Sequence, residues 1–229
     1  MTLDKRFNKF MSLLSSIENI DLLPLNKVQK KEKRADYFGW GRKIIFEQKC
    51  INQDQGSKIQ SIIDKCIEGK LLFYGELDFN QVIESLPNKE NIKRKIYSQI
   101  TKLIEKYLYD ADKQIASTKN TFKLSNSVGV LVILNEKVEV LSPEVVGVRI
   151  NQRLREKKKD EPRFNNIDYV IFISEIHRYN GLPCVIIFEG EKAKKHPQEI
   201  SDYLDSILDS WSRFNGGETL QVNDINKAI

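Results

Sequence analysis

Asp36, Glu47 and Lys49 have the types and spacing to do chemistry together. Glu47 follows Asp36 by eleven positions, and Lys49 follows Glu47 by two. Residues two apart on a strand project from the same face. Between the acids lie Gly39 and Gly41 bracketing Trp40, a tight-turn signal that folds the flanking segments into a hairpin. A hairpin can set Asp36 beside Glu47 and Lys49. Two carboxylates and a lysine on one sheet face are costly unless something binds between them, and a divalent cation relieves the repulsion. The segment around Glu47 and Lys49 (Ile44 to Cys50, IIFEQKC) is otherwise strongly apolar. The competing reading is an edge hairpin whose outer face carries a solvated Glu–Lys pair, which is worth little.

The elements that must position these residues follow from periodicity. Leu3, Phe7, Phe10, Leu14 and Ile17 predict a helix over 3–19, with Glu18 near its end. A basic linker follows, in which Lys27, Lys30, Lys31, Lys33 and Arg34 face one acid, Glu32. The hairpin strands come next, then a helix over 54–68. The segment 69–90 reads as an insertion. The longest helical pattern covers 89–117, with a break near Asp110. Val128 to Leu134 is a continuous apolar run, as expected of a strand covered on both faces. A helix is expected over 144–156, buried strands over 168–176 and 183–189, and a closing amphipathic helix over 197–213. Residues 214–229 read as a short tail. Helices interleaved with about five strands give an α/β (α+β) class. The expected architecture is one domain over 1–213 with a mixed central sheet flanked by helices.

Composition narrows the function classes. The chain has 229 residues, 40% hydrophobic and 30% charged. No run of about eighteen apolar residues is present, so no membrane span is expected. The N-terminus mixes charge with apolar residues, unlike a secretory signal. The net charge is 37 − 32 = +5, which suits an anionic partner without demanding one. Three cysteines (Cys50, Cys66 and Cys184) without a CxxC pair read as small hydrophobes of a reducing cytoplasm. Two histidines supply zinc sites and histidine triads poorly. The phosphate-cradling loops GxxxxGK[ST] and GxGxxG are absent, which argues against an NTPase or a dinucleotide enzyme.

Asp36 followed by Glu47-Gln48-Lys49 resembles the motif of the PD-(D/E)XK nuclease superfamily, the restriction-endonuclease-like fold. The passage from Asp112-Lys113-Gln114-Ile115 into the Gly129–Asn135 strand is similar to the helix-to-strand passage of such nucleases. The resemblance covers roughly residues 1–190, with only the core motif specific. Ala35 stands where the family pattern has proline. The resemblance implies a mixed sheet with the acids on adjacent strands, and a metal-dependent nuclease acting on DNA. It implies that Asp36, Glu47 and the carbonyl of Gln48 ligate Mg²⁺, with Mn²⁺ as substitute, and that Lys49 acts on the attacking water or the phosphate charge. Oxygen donors suit these ions better than zinc. Glu18 is the candidate for an additional upstream acid, and Gln114 for a residue facing the same site.

Lys30, Lys31, Lys33 and Arg34 lead into Asp36 and are candidates for phosphate contacts through counterion release. Trp40 at the hairpin tip is a candidate for stacking on a base. A second basic cluster, Arg153 to Arg163, reads more readily as a solvated face, and His177 is a weak candidate for a base. DNA is the expected partner, in a cytoplasmic restriction or phage-defence setting, as a homodimer or within a larger defence complex. The alternatives are an inactive nucleic-acid-binding or protein-interaction protein of the same fold, and an RNA-directed nuclease.

Overall fold

Every residue of Val128–Asn135 is buried, as its unbroken apolar run requires of a strand between two helical layers. In the computed structural model, residues 1–26, 32–51, 88–139, 141–179 and 181–217 are described, together with Ser61, Lys65 and Glu84. Apart from Ser61 and Lys65, the predicted helix over 54–68 lies outside the described residues, as do most of the 69–90 segment and the tail beyond 217.

Element order is α1 (Leu3–Leu13), β1 (Ile17–Asn19), β2 (Tyr37–Gly39), β3 (Ile44–Ile51), α2 (Lys89–Phe122), β4 (Val128–Asn135) and α3 (Pro143–Leu154). A short ribbon of β5 (Lys157–Lys158) and β6 (Glu161–Pro162) follows, then β7 (Tyr169–Tyr179), β8 (Leu182–Glu189) and α4 (Gln198–Phe214). The main sheet has six strands in the order β1-β2-β3-β4-β7-β8. β1, β2 and β3 form an antiparallel meander, β3, β4 and β7 run parallel, and β8 returns antiparallel. The mixed sheet with helices on both faces is the class expected from the sequence.

Strand alternation divides the core. Ile44 and Phe46 of β3 join Val130, Val132 and Leu134 of β4 beneath α1 and α4. Ile45 and Ile51 join Leu131 and Ile133 on the opposite face, beneath α2 and α3. Phe7 and Phe10 of α1 meet Trp211 of α4 edge-on at 5.2 and 5.3 Å. Such aromatic pairs add to the burial of their area. Glu47 and Lys49 share the parity of Ile45 and Ile51, so both lie on the α2 face.

Two expectations are corrected. α1 ends at Leu13, because Leu14 is extended and Ser15-Ser16 turn the chain into β1. Serine favours such turns by bonding nearby backbone. α2 runs unbroken through Asp110 for 34 residues, about 51 Å. β4 begins where the chain before β7 presses close. A Cβ on Gly129 would lie 1.8 Å from the Asn166 carbonyl oxygen, so only glycine fits there.

Candidate active site

The β2–β3 turn sets the geometry. Trp40, Gly41 and Arg42 all take positive φ (48°, 60° and 69°), which reverses the chain tightly. Tyr37 pairs with Phe46, so the next step of the ladder brings Asp36 opposite Glu47. The Asp36 amide donates to the Phe46 carbonyl at 3.0 Å, and the Gln48 amide donates to Asp36 Oδ2 at 2.7 Å. β3 is an interior strand between β2 and β4, and Glu47 is 1% exposed. A solvated edge hairpin is therefore not what the chain forms.

α2 closes the site from above. Thr118 Oγ1 accepts the Ala35 amide at 2.9 Å and donates to the Gln114 carbonyl at 2.8 Å. Gln114 Nε2 donates to the Arg34 carbonyl at 2.9 Å, and its Oε1 accepts from Lys49 Nζ at 2.8 Å. Lys49 also pairs with Glu47 Oε1. One glutamine thus holds both the lysine and the segment that delivers Asp36.

Electrostatics follow from burial. Desolvation, then the charge of Asp36, pushes Glu47 up to about 8, and the Lys49 ammonium opposes the shift. Desolvation also raises Asp36, against the Gln48 amide and Lys49. Burial and the neighbouring Asp36 charge thus favour a proton held at Glu47. With both groups ionised, the buried Glu47 Oε2 has no donor. A shared proton answers this arrangement, and so does a cation. Among the described residues no three His, Cys, Asp or Glu side chains gather as a metal cluster. Two carboxylates with backbone oxygen and water are nevertheless a fitting donor set for Mg²⁺, which keeps several waters and takes one or two carboxylates.

The other sequence candidates fall as follows. Glu18 lies on edge strand β1 rather than at a helix end, and Arg42 grips it through Nε at 3.2 and 3.3 Å and Nη2 at 2.7 Å. The Gln48 side chain points to the other face and donates to Asp4 Oδ1 at 2.8 Å. Lys33 is exposed, and Arg34 pairs with Asp21 at 3.0 Å. Lys27, Lys30 and Lys31 lie outside the described residues. The Trp40 ring packs within the fold, stacked on Tyr203 at 5.5 Å with Lys43 above it. Arg153 and Arg163 pair with Glu105 and Glu156, which ties the β5–β6 ribbon to α2. His177 Nδ1 accepts from the buried Ser174 hydroxyl at 2.7 Å, and Nε2 reaches the Glu139 carbonyl at 2.8 Å.

Asp21 and Thr118 escaped the sequence reading. Asp21 follows β1 on a turn capped by Asn19, and its charge raises Asp36. The Asn-Ile-Asp spacing was a usable turn signal, hidden by the expected helix. Nothing local marks Thr118, because its role arises only when α2 packs on β2 and β3.

No family model, curated protein or solved structure matches the chain. No helix among the described residues is long and apolar enough to cross a membrane.

Proposed function

We propose that the chain is a metal-dependent endonuclease that hydrolyses phosphodiester bonds of DNA. The observation that carries this reading is the buried Glu47 set against the partly buried Asp36, with one Glu47 oxygen lacking a donor, beside a lysine held in place by Gln114. Structural packing alone gives no reason to bury two acids against each other, since replacing such groups with apolar ones is often neutral or stabilising. The order helix, three-strand meander, helix, parallel strand, with Asp36 just before the second strand and Glu47 on the third, accords with the resemblance to PD-(D/E)XK nucleases.

In this reading Asp36, Glu47 and the Gln48 carbonyl hold Mg²⁺ or Mn²⁺. The ion, when bound, polarises the scissile phosphate and acidifies a water. Asp36 is aligned by the Gln48 amide, so the carboxylate is set before any ligand arrives. Lys49 is placed by Glu47 and Gln114 to donate to the attacking water or to the charge that grows on the phosphate. Donors fixed before the reaction need no reorganisation during it, which is why the lysine's anchoring matters as much as its charge.

The test is direct. Wild-type protein with Mg²⁺ is expected to convert supercoiled plasmid to nicked or linear forms. EDTA and Glu47→Gln are each expected to stop it. An RNA transcript run in parallel decides between DNA and RNA as substrate. A folded wild-type protein that leaves both intact with Mg²⁺ and with Mn²⁺ overturns the reading in favour of an inactive scaffold.

A further inference from the structure

α2 carries an exposed basic stripe that the site does not use. Lys95, Lys102, Lys106 and Lys113 are spaced by seven, four and seven residues, and all four are exposed. At 3.6 residues per turn those steps return each lysine to within about 20° of the same side of the helix. Tyr109 is 52% exposed beside them, and Lys113 Nζ sits 4.2 Å over its ring. None of the four lysines forms a salt bridge among the described residues. The acids of α2 lie mostly elsewhere. Glu105 is engaged by Arg153 and Arg163, Asp112 accepts the Asn166 amide at 2.8 Å, and Asp110 borders the stripe.

The stripe starts at the site. Lys113 is followed by Gln114, whose side chain holds Lys49 about a quarter-turn around the helix. From there it runs about 27 Å along the axis. That is about eight phosphates of one strand of duplex DNA, at about 3.4 Å each. The core-facing side of the same helix is filled by Ile104, Leu108, Ala111 and Ile115, so the helix is a rigid rail. Four exposed lysines held in line on a packed helix present a fixed row of positive charge that a phosphate backbone can neutralise.

We infer that this face of α2 binds the phosphate backbone of the nucleic acid that enters the site, with Lys113 nearest the scissile bond. The inference rests on the nuclease reading for its orientation, but the contact it asserts is testable without cleavage. Binding of a fluorescein-labelled 30-base-pair duplex is measured by anisotropy in EDTA across a range of salt. Wild type is compared with the full chain carrying Lys95→Gln, Lys102→Gln, Lys106→Gln and Lys113→Gln. A control carries Lys5→Gln, Lys9→Gln, Lys194→Gln and Lys195→Gln, which removes equal charge from exposed positions on other elements. Circular dichroism checks that all three stay folded.

The stripe variant is expected to lose at least about tenfold in affinity, and its slope of log K against log salt should fall by about three to four, at about 0.9 per duplex phosphate contact. The control should keep most of both. A stripe variant with the wild-type slope, a control that loses as much, or a wild type that does not bind overturns the inference. The two readings fail separately. Binding through the stripe without cleavage in Mg²⁺ or Mn²⁺ sinks the nuclease reading and keeps the stripe. Cleavage that persists with an unchanged salt slope in the stripe variant does the reverse.

Discussion

Asp36 stands opposite Glu47 where β2 pairs with β3, and burial pushes both carboxyls above their ordinary range. Glu47 rises from 4.5 to about 8, so the folded protein keeps a proton that the unfolded chain gives up. Lys49 opposes the rise at Glu47; at Asp36 the Gln48 amide and Lys49 oppose it, and the charge of Asp21 adds to it. The sign follows from linkage. Stability should be greatest below the unfolded value and fall as pH rises towards 8, by at most about 1.4 kcal/mol per unit for one proton. Urea unfolding of the metal-free protein from pH 5 to 8 should show this decline. Glu47→Gln should flatten it and make the protein more stable at pH 8. A wild-type curve that rises over that range would show that Glu47 is ionised in the fold.

Divalent ions should act on the same pair. At 10 mM Mg²⁺ or Mn²⁺ and a millimolar Kd, binding to the folded state stabilises it by about 1.4 kcal/mol. For a chain of this size that is a rise in Tm of about 3–6 °C. Glu47→Gln and Asp36→Ala should each abolish the shift. Calorimetric scans that show the same Mn²⁺ response in wild type and both variants would place the ion elsewhere.

The sheet was legible because its strands are apolar runs with clear ends. Val128–Asn135 and Leu182–Glu189 follow their predicted bounds within two residues, and the Gly39–Trp40–Gly41 turn gave the hairpin. Asp36, Glu47 and Lys49 could be grouped on strand parity alone, and the register brings them together. Gln114 was a candidate, but the partners that make it matter depend on contacts between distant segments. Gln114 lies 65 positions from Lys49 and 80 from Arg34, and only the docking of α2 joins them. Glu18 was misread because Leu14 and Ile17 continue the helical period past the serines that end α1. The period is the same whether the backbone stays helical or extends; the turn at Ser15-Ser16 decided it.

That correction is testable. Glu18 and Arg42 are both half-exposed, so their pair should contribute only about 0–1 kcal/mol. Glu18→Gln is expected to lower Tm by about 4 °C or less and to leave both the Mn²⁺ shift and plasmid cleavage intact. A loss of cleavage with unchanged stability would return Glu18 to the site.

Asp36→Ala, Glu47→Ala and Lys49→Ala should each abolish or nearly abolish cleavage in proteins that remain folded, and Gln114 and Thr118 should act through them. Gln114 touches Lys49 Nζ and the Arg34 carbonyl, whereas Thr118 touches only the backbone at Ala35 and Gln114. The two should therefore separate. Thr118→Val keeps the volume but strands the buried Ala35 amide, which costs about 1–3 kcal/mol. It should lower Tm clearly, with cleavage falling only as far as Asp36 shifts. Gln114→Ala leaves a half-buried position and should cost less stability, yet it frees the lysine to swing. Its cleavage rate should drop by about ten- to a hundredfold, since small misplacements of a positioned group cost about that much. Its Mn²⁺ shift should persist, because both carboxylates remain. Gln114→Glu gives a sharper comparison. A carboxylate there still accepts from Lys49 but cannot donate to Arg34, and it adds negative charge near Asp36 and Glu47. Metal affinity, read from the Mn²⁺ dependence of Tm, should rise while cleavage stays below wild type. If Gln114→Ala cuts at the wild-type rate, Lys49 needs no anchor and the hydrogen bond between them is packing alone.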